Sequence, residues 1–277
     1  MATKPLSSPK SPLPALGGGG VASKPSAWNE GIRLRIAYTL YFAGVTRLSV
    51  ELLFKNMGRD RQATKRLARE TLSRLSGKFL THLSRINCVH CEYIGFEQAP
   101  EWTHSIICAN HPSILDALFL FQKFPQASCV VGTNPWSDPF LSIPARQAQY
   151  VPGQPALRMV KQIRRTLEDG GNVIVFPEGT RTPSGALREF HDGFALAAIK
   201  ARASVRTVFI ECTSMFLGKG FSFAAGAQLP IHFRFSTGAV FSPAAGANAR
   251  EFSQELEEYF RRRLRREGGI HREDSLE

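Results

Sequence analysis

From residue 88 onward, apolar runs of strand length alternate with runs of helical period. CVHCEYIGF, SIICA, SCVVG, NVIVF and VRTVFIE read as strands, being short, bounded and rich in β-branched or aromatic residues. Between them, PSILDALFLF, PALRMVKQIRRTLEDG and GFALAAIKAR read as helices. Pro155 suits the start of the second of these, and Gly170 its end. This alternation predicts an α/β sheet covered by helices. Because the strands are continuously apolar, the sheet is expected to be buried on both faces.

The flanks read differently. Residues 28–56 look helical and mostly apolar, and residues 60–86 form a strongly basic helix pattern. Leu67, Leu72, Leu75, Phe79 and Leu83 make its apolar stripe. Such a helix either packs on a core with a solvated basic face or lies on an anionic membrane surface. A final helix, NAREFSQELEEYFRRRLRREGG, starts at a capping-box-like Asn248 and Glu251. Phe252, Leu256, Phe260 and Leu264 form its stripe, and Gly268 is its expected stop. Its RRRLRR run reads as a solvated face. The first 26 residues are rich in Pro, Ser, Lys and Gly and predict a disordered tail without a signal-peptide core. The expected organisation is a tail over 1–26, N-terminal helices over 27–86, one domain over 87–268 and a short tail over 269–277.

Composition narrows the partner. The chain has 277 residues, a formal net charge of +12 and a pI near 9.9. That balance calls for something anionic: nucleic acid, an anionic membrane or a phosphorylated substrate. Nucleic acid is not expected, because no aromatic-studded strand and no zinc-finger spacing occur. No run is apolar enough to span a membrane; the best candidate, IAYTLYFAGVTRLSVELLF, is interrupted by Arg47 and Glu51. Cys88 and Cys91 form a lone C-x-x-C in a strand, where such residues point to opposite faces, so no metal site is expected there. Nothing suggests a disulfide framework, and a reducing compartment follows.

Two clusters carry the chemistry. SIICA stops on Asn110-His111-Pro112, and one acid, Asp116, enters the apolar run that follows. Ligands of open α/β sheets bind at the carboxyl ends of strands, which is where this cluster falls. With Pro112 as first helical residue, His111 stands at the N-cap and Asp116 one turn inside. Residues five apart on a helix are about 140° out of phase, so contact requires His111 to stand off the helix and fold back. Asp116 then fixes one imidazole nitrogen and leaves the other as a base. The second cluster, NVIVFPEGTRTPSG, also ends a strand and offers Glu178, Gly179, Thr180 and Arg181. Gly179 permits an unusual backbone conformation or a close approach, Arg181 can bind a phosphate bidentately, and Glu178 can position Arg181 or accept a substrate hydroxyl.

Together NHPSILD and FPEGTR resemble the motifs of the glycerolipid acyltransferase family, which includes the lysophosphatidic acid acyltransferases. The resemblance covers roughly residues 85–215, and the order and separation of the motifs also match. It implies a central mixed sheet covered by helices. It implies transfer of a fatty acyl group from acyl-CoA or acyl carrier protein to a hydroxyl of a lysophospholipid, with lysophosphatidic acid the leading acceptor. It implies His111 as general base, Asp116 as its orienting partner, and Glu178, Gly179, Thr180 and Arg181 at the acceptor phosphate. No resident cofactor or metal is implied. The resemblance also implies peripheral attachment at the cytoplasmic membrane face, with residues 28–86 as docking helices. No G-x-S-x-G nucleophile elbow suggests an acyl-enzyme.

The chain departs from the family pattern near the expected phosphate. Gly132 or Thr133 stands where many relatives carry a lysine, and Gly153-Gln154 where many carry an arginine after YVP. A proline of the last motif is replaced around Val208-Phe209. Arg146, Arg158 and Lys161 are the cations available to compensate. These departures also open the alternative of a different lysolipid acceptor, such as a lyso-aminolipid. A non-catalytic lipid binder of the same fold has no need of both His111 and Asp116. A thioesterase using the same pair on water would release free fatty acid.

Overall fold

The computed structural model describes residues 60–132, 139–182, 187–213 and 229–266, with helical residues scattered between 36 and 51. The tail over 1–26, most of the segment 28–56, Thr133, Gly268 and the C-terminal tail lie outside the described residues. In chain order the elements are α1 (Arg61–Arg85), β1 (Val89–Ile94), β2 (Ser105–Ala109), α2 (Asp116–Lys123), β3 (Ser128–Val131), α3 (Pro139–Gln147) and β4 (Val151–Pro152). There follow α4 (Ala156–Glu168), β5 (Val173–Val175), α5 (Gly193–Ala201), β6 (Ser204–Cys212), β7 (Ile231–Phe241) and α6 (Ala249–Arg266).

One seven-stranded sheet runs β1-β7-β6-β2-β5-β3-β4. Every neighbouring pair is parallel except β6 with β7, which makes the sheet mixed, as expected. β2 and β5 are buried at every position because helices cover both faces, and their sequences SIICA and VIV are accordingly apolar without alternation. Residues of one strand alternate between two cores. Ile107, Ala109, Ile174 and Val208 pack under α1, α2 and the end of α3. Ile106, Cys108, Val173, Val175 and Phe209 pack under α4, α5 and α6.

α1 behaves as a core helix. Leu72, Phe79 and Leu83 are buried, and Leu67 and Leu75 pack against the same cluster. The apolar stripe of this helix is thus packed into the core. Asp60 caps its first turn by accepting from the N–H groups of Gln62 and Ala63. Arg69 is not part of a solvated face either. It is buried, and its guanidinium donates to Ala148 O and Gln126 O, each at 2.8 Å. Burial lowers its pKa to about 10. Among the described residues no helix is long and apolar enough to cross a membrane.

The last helix follows the sequence closely. Asn248 Oδ1 accepts from Arg250 N and Glu251 N, and Phe252, Leu256, Phe260 and Leu264 are buried. In its arginine run, Arg261 and Arg262 pair with Glu257 and Glu258 one turn back. Cys88 is buried and Cys91 exposed, so the two thiols of the C-x-x-C face apart.

Candidate active site

β2 and β5 are parallel neighbours, with Cys108 level with Val175. Their carboxyl ends therefore deliver residues 110–116 and 176–182 to the same edge of the sheet, although the two segments are far apart in sequence. On the other flank of β2, the Asn110 side chain continues the ladder that the backbone has left. Its Nδ2 donates to Ile210 O and its Oδ1 accepts from Ile210 N, both at 2.8 Å. Asn110 is buried, and no other side chain offers that donor and acceptor pair at one amide length. It fixes where the chain turns off the sheet.

The turn after β2 differs from the expected helix start. α2 begins at Asp116, not Pro112. Asp116 Oδ2 accepts from Ser113 N at 2.7 Å, and Ser113 Oγ accepts from Leu115 N at 3.2 Å. These local side-chain bonds satisfy the amides that would otherwise open the helix, and they hold 113–115 in a turn. The turn folds His111 back over the helix start. His111 Nδ1 lies 2.9 Å from Asp116 Oδ2. Asp116 is fully buried, whereas the His111 side chain is 18 % exposed. With Nδ1 held by the carboxylate, Nε2 is the nitrogen left for chemistry.

Phe176 makes the second wall. Its ring stacks on the imidazole with centroids 4.0 Å apart and planes 19° from parallel. The imidazole is thereby fixed in rotation as well as tautomer. The motif begins with Phe for a reason that sequence reasoning missed, because the stack exists only once β2 and β5 lie side by side.

Glu178 is turned inward. It is buried, and its carboxylate is committed within the protein. Oε1 accepts from the Thr182 hydroxyl and from His111 N, the latter at 3.4 Å, and Oε2 accepts from Arg188 N at 3.0 Å. Thr182 closes the brace: its N–H donates to His111 O at 2.7 Å, and its Oγ1 accepts from His111 N at 3.1 Å. Thr182 follows the motif directly and was not singled out from sequence. Glu178 thus holds the backbone of His111 from one side, while Asp116 holds the ring from the other. Gly179 is exposed and takes a positive φ of 67°, the conformation for which glycine is suited. Thr180 and Arg181 are half-buried at the exit of this turn, and the charge of Arg181 acts on Asp116.

Of the three cations offered as compensation, Arg158 lies in the first turn of α4, just past the carboxyl end of β4 and hence on the motif edge. Lys161 follows one turn on and is exposed. Arg146 lies near the end of α3, just before β4 begins, at the opposite edge of the sheet.

Burial raises the Asp116 carboxyl above the usual carboxylate range, opposed by His111, the Ser113 N–H and Arg181. Burial raises Glu178 likewise, opposed by Thr182 and by the Arg188 and His111 N–H groups. A carboxyl whose folded pKa exceeds its unfolded value binds its proton more tightly in the native state. These two groups therefore make stability fall as pH rises through the ordinary carboxylate range. Asp116→Asn is expected to flatten that fall while lowering turnover. Urea melts at stepped pH measure it; an unchanged slope in the variant contradicts the assignment.

This edge of the sheet thus brings together a braced histidine–aspartate pair, a glycine turn and an arginine. Residues 90–211 match the family model described as Acyltransferase. The resemblance to the glycerolipid acyltransferases is thus borne out over the segment that carries both motifs. A 1-acyl-sn-glycerol-3-phosphate acyltransferase of Borreliella burgdorferi is 28% identical over 149 residues, covering 50% of this chain and 58% of the relative. The match therefore spans little more than half the length of that relative. The crystal structure of the 1-acyl-sn-glycerophosphate (LPA) acyltransferase, PlsC, from Thermotoga maritima superposes with a TM-score of 0.63 at 20% identity. The superposition covers 87% of this chain and 96% of that one, and it establishes the shared fold.

Proposed function

We propose that the protein is an O-acyltransferase that moves a fatty acyl group from a thioester, acyl-CoA or acyl carrier protein, to the free hydroxyl of a lysophospholipid. Lysophosphatidic acid is the leading acceptor. The observation that carries the reading is the His111 Nδ1 to Asp116 Oδ2 hydrogen bond of 2.9 Å against a fully buried aspartate. A hydroxyl is a weak nucleophile and needs a base, and a histidine oriented by a carboxylate is suited to that task.

In this mechanism His111 Nε2 takes the proton of the acceptor hydroxyl as its oxygen attacks the thioester carbonyl. The tetrahedral intermediate collapses, the carbon–sulfur bond breaks, and the proton passes from the imidazolium to the leaving thiolate. Asp116 stabilises the imidazolium between the two steps. Phe176 and the Glu178–Thr182 brace keep the ring from swinging out of reach. Gly179, Thr180 and Arg181 face the acceptor's phosphate, Arg181 through its planar fork of donors. Residues 28–86 bring the enzyme to the cytoplasmic face of the membrane as a peripheral protein, where basic side chains gain about 1 kcal/mol each near an anionic leaflet.

The test is a panel. Purified protein with long-chain acyl-CoA, and separately with acylated carrier protein, is offered lysophosphatidic acid, neutral monoacylglycerol and a lyso-aminolipid, with products read by mass spectrometry. Diacyl product from lysophosphatidic acid supports the reading. Product from the lyso-aminolipid alone replaces the acceptor and leaves the chemistry. Free fatty acid without a new ester makes the protein a thioesterase.

A further inference from the structure

The segment that returns from the glycine turn towards α5 is held tightly on both sides. Arg188 N donates to Glu178 Oε2 at 3.0 Å, His191 N to Pro177 O at 2.9 Å, and Phe190 N to Glu257 Oε2 of α6 at 2.9 Å. Leu187 and Phe190 are buried in the core beneath α6. His191, between Phe190 and the start of α5, is left exposed.

The imidazole of His191 lies over Gly179. A Cβ placed on Gly179 would stand 2.9 Å from both Cδ2 and Nε2 of that ring. Glycine is required there twice, for its positive φ and for the space the ring occupies. The ring nitrogens of His191 make no hydrogen bond among the described residues. An imidazole offers at least one N–H in either protonation state. This donor stands against the turn that also carries Thr180 and Arg181.

Resting on the acceptor reading above, we propose that His191 is a specificity-determining residue of the acceptor site: its imidazole donates a hydrogen bond to the phosphate of the lysolipid held at Gly179, Thr180 and Arg181. It contributes to recognition of the phosphate and takes no part in proton transfer to or from the reacting hydroxyl.

The experiment compares wild type, His191→Ala, His191→Gln and His191→Lys in steady-state kinetics with lysophosphatidic acid and with neutral monoacylglycerol. It also measures lysophosphatidic acid binding by calorimetry in the His111→Ala background, where no turnover intervenes. His191→Ala is expected to raise KM and Kd for lysophosphatidic acid about 5- to 20-fold, the size of one charge-assisted hydrogen bond. Its kcat should stay within about twofold and its KM for monoacylglycerol should not move. Gln and Lys, which keep a donor, should recover most of the affinity. The proposal is overturned if KM for lysophosphatidic acid is unchanged, if kcat falls instead, or if both acceptors lose equally. Wild-type protein that neither binds nor acylates lysophosphatidic acid, yet acylates another lysolipid, overturns the acceptor reading and this proposal together. Tight binding indifferent to residue 191 overturns this proposal alone.

Discussion

His111→Ala lowers turnover by about 10²–10⁴-fold, the range expected for losing a positioned general base. The loss falls on kcat, because the imidazole acts on the reacting hydroxyl and not on the headgroup. The fold should survive. His111 is held through its backbone by Glu178 and Thr182, and those bonds to its N–H and C=O persist in the alanine variant. Asp116 keeps the Ser113 N–H on the same oxygen, Oδ2. Its other oxygen, Oδ1, is already buried without a hydrogen-bond partner, so the variant leaves a poorly satisfied carboxylate behind. Losing the His111 partner therefore costs some stability, limited because burial favours the neutral form of that carboxyl; the melting temperature should fall only modestly, and thioester consumption by the two proteins separates a catalytic from a structural loss. A variant with near-wild-type kcat contradicts the mechanism.

The second large effect is expected at a residue that touches no substrate. Glu178→Ala removes the acceptor for the Thr182 hydroxyl, for Arg188 N and, in part, for His111 N. Each partly buried donor left without a partner costs about 1–3 kcal/mol. Shared among donors that partly reach solvent, the total is about 2–4 kcal/mol, or a fall in melting temperature of about 5–15 °C for a domain of this size. Activity should drop with it, since the His111 backbone and the turn at Gly179 lose their common anchor. Glu178→Gln is informative beside it. One amide oxygen keeps the Oε1 bonds, but the NH₂ group then faces the Arg188 N–H, donor against donor. The glutamine variant should fall between wild type and alanine in both melting temperature and kcat. A glutamine variant as active as wild type, together with an alanine variant that only raises KM for the acceptor, would return Glu178 to the role of a headgroup ligand.

The parts of the fold legible in the sequence are those where burial alone dictates residue type. β2 and β5 are apolar because both faces of the sheet are covered, and α6 reads plainly because one face is solvated and the other meets the core. β7 was passed over. Ile231, Phe233 and Phe235 alternate there with His232 and Arg234, the mark of a strand near the edge of the sheet, and the polar half of that pattern hides it. β4 has two residues, and α3 carries an internal Pro144, so neither gives a periodic signal. In α1, Arg69 looks like one more surface cation until residues 126 and 148 are seen to supply its acceptors.

The site divides in the same way. That His111 must fold back to meet Asp116 follows from helix phase. How it does so depends on the N–H and hydroxyl of Ser113. Glu178 looked like a ligand because its neighbours Gly179 and Arg181 do. Its inward turn depends on Thr182 and on the segment returning past Arg188, which no local pattern predicts. Phe176 over His111, and His191 over Gly179, are contacts between segments that only the parallel pairing of β2 and β5, and the pinning of 187–191 behind them, bring together.

The most direct test of the account is the stoichiometry of a single reaction. Long-chain acyl-CoA and lysophosphatidic acid are incubated with wild-type and His111→Ala protein. Released thiol and newly formed ester are then quantified in the same sample. The account predicts one ester per thiol from the wild type and neither above background from the variant. Thiol released with free fatty acid in place of ester, or ester formed equally by both proteins, would contradict it.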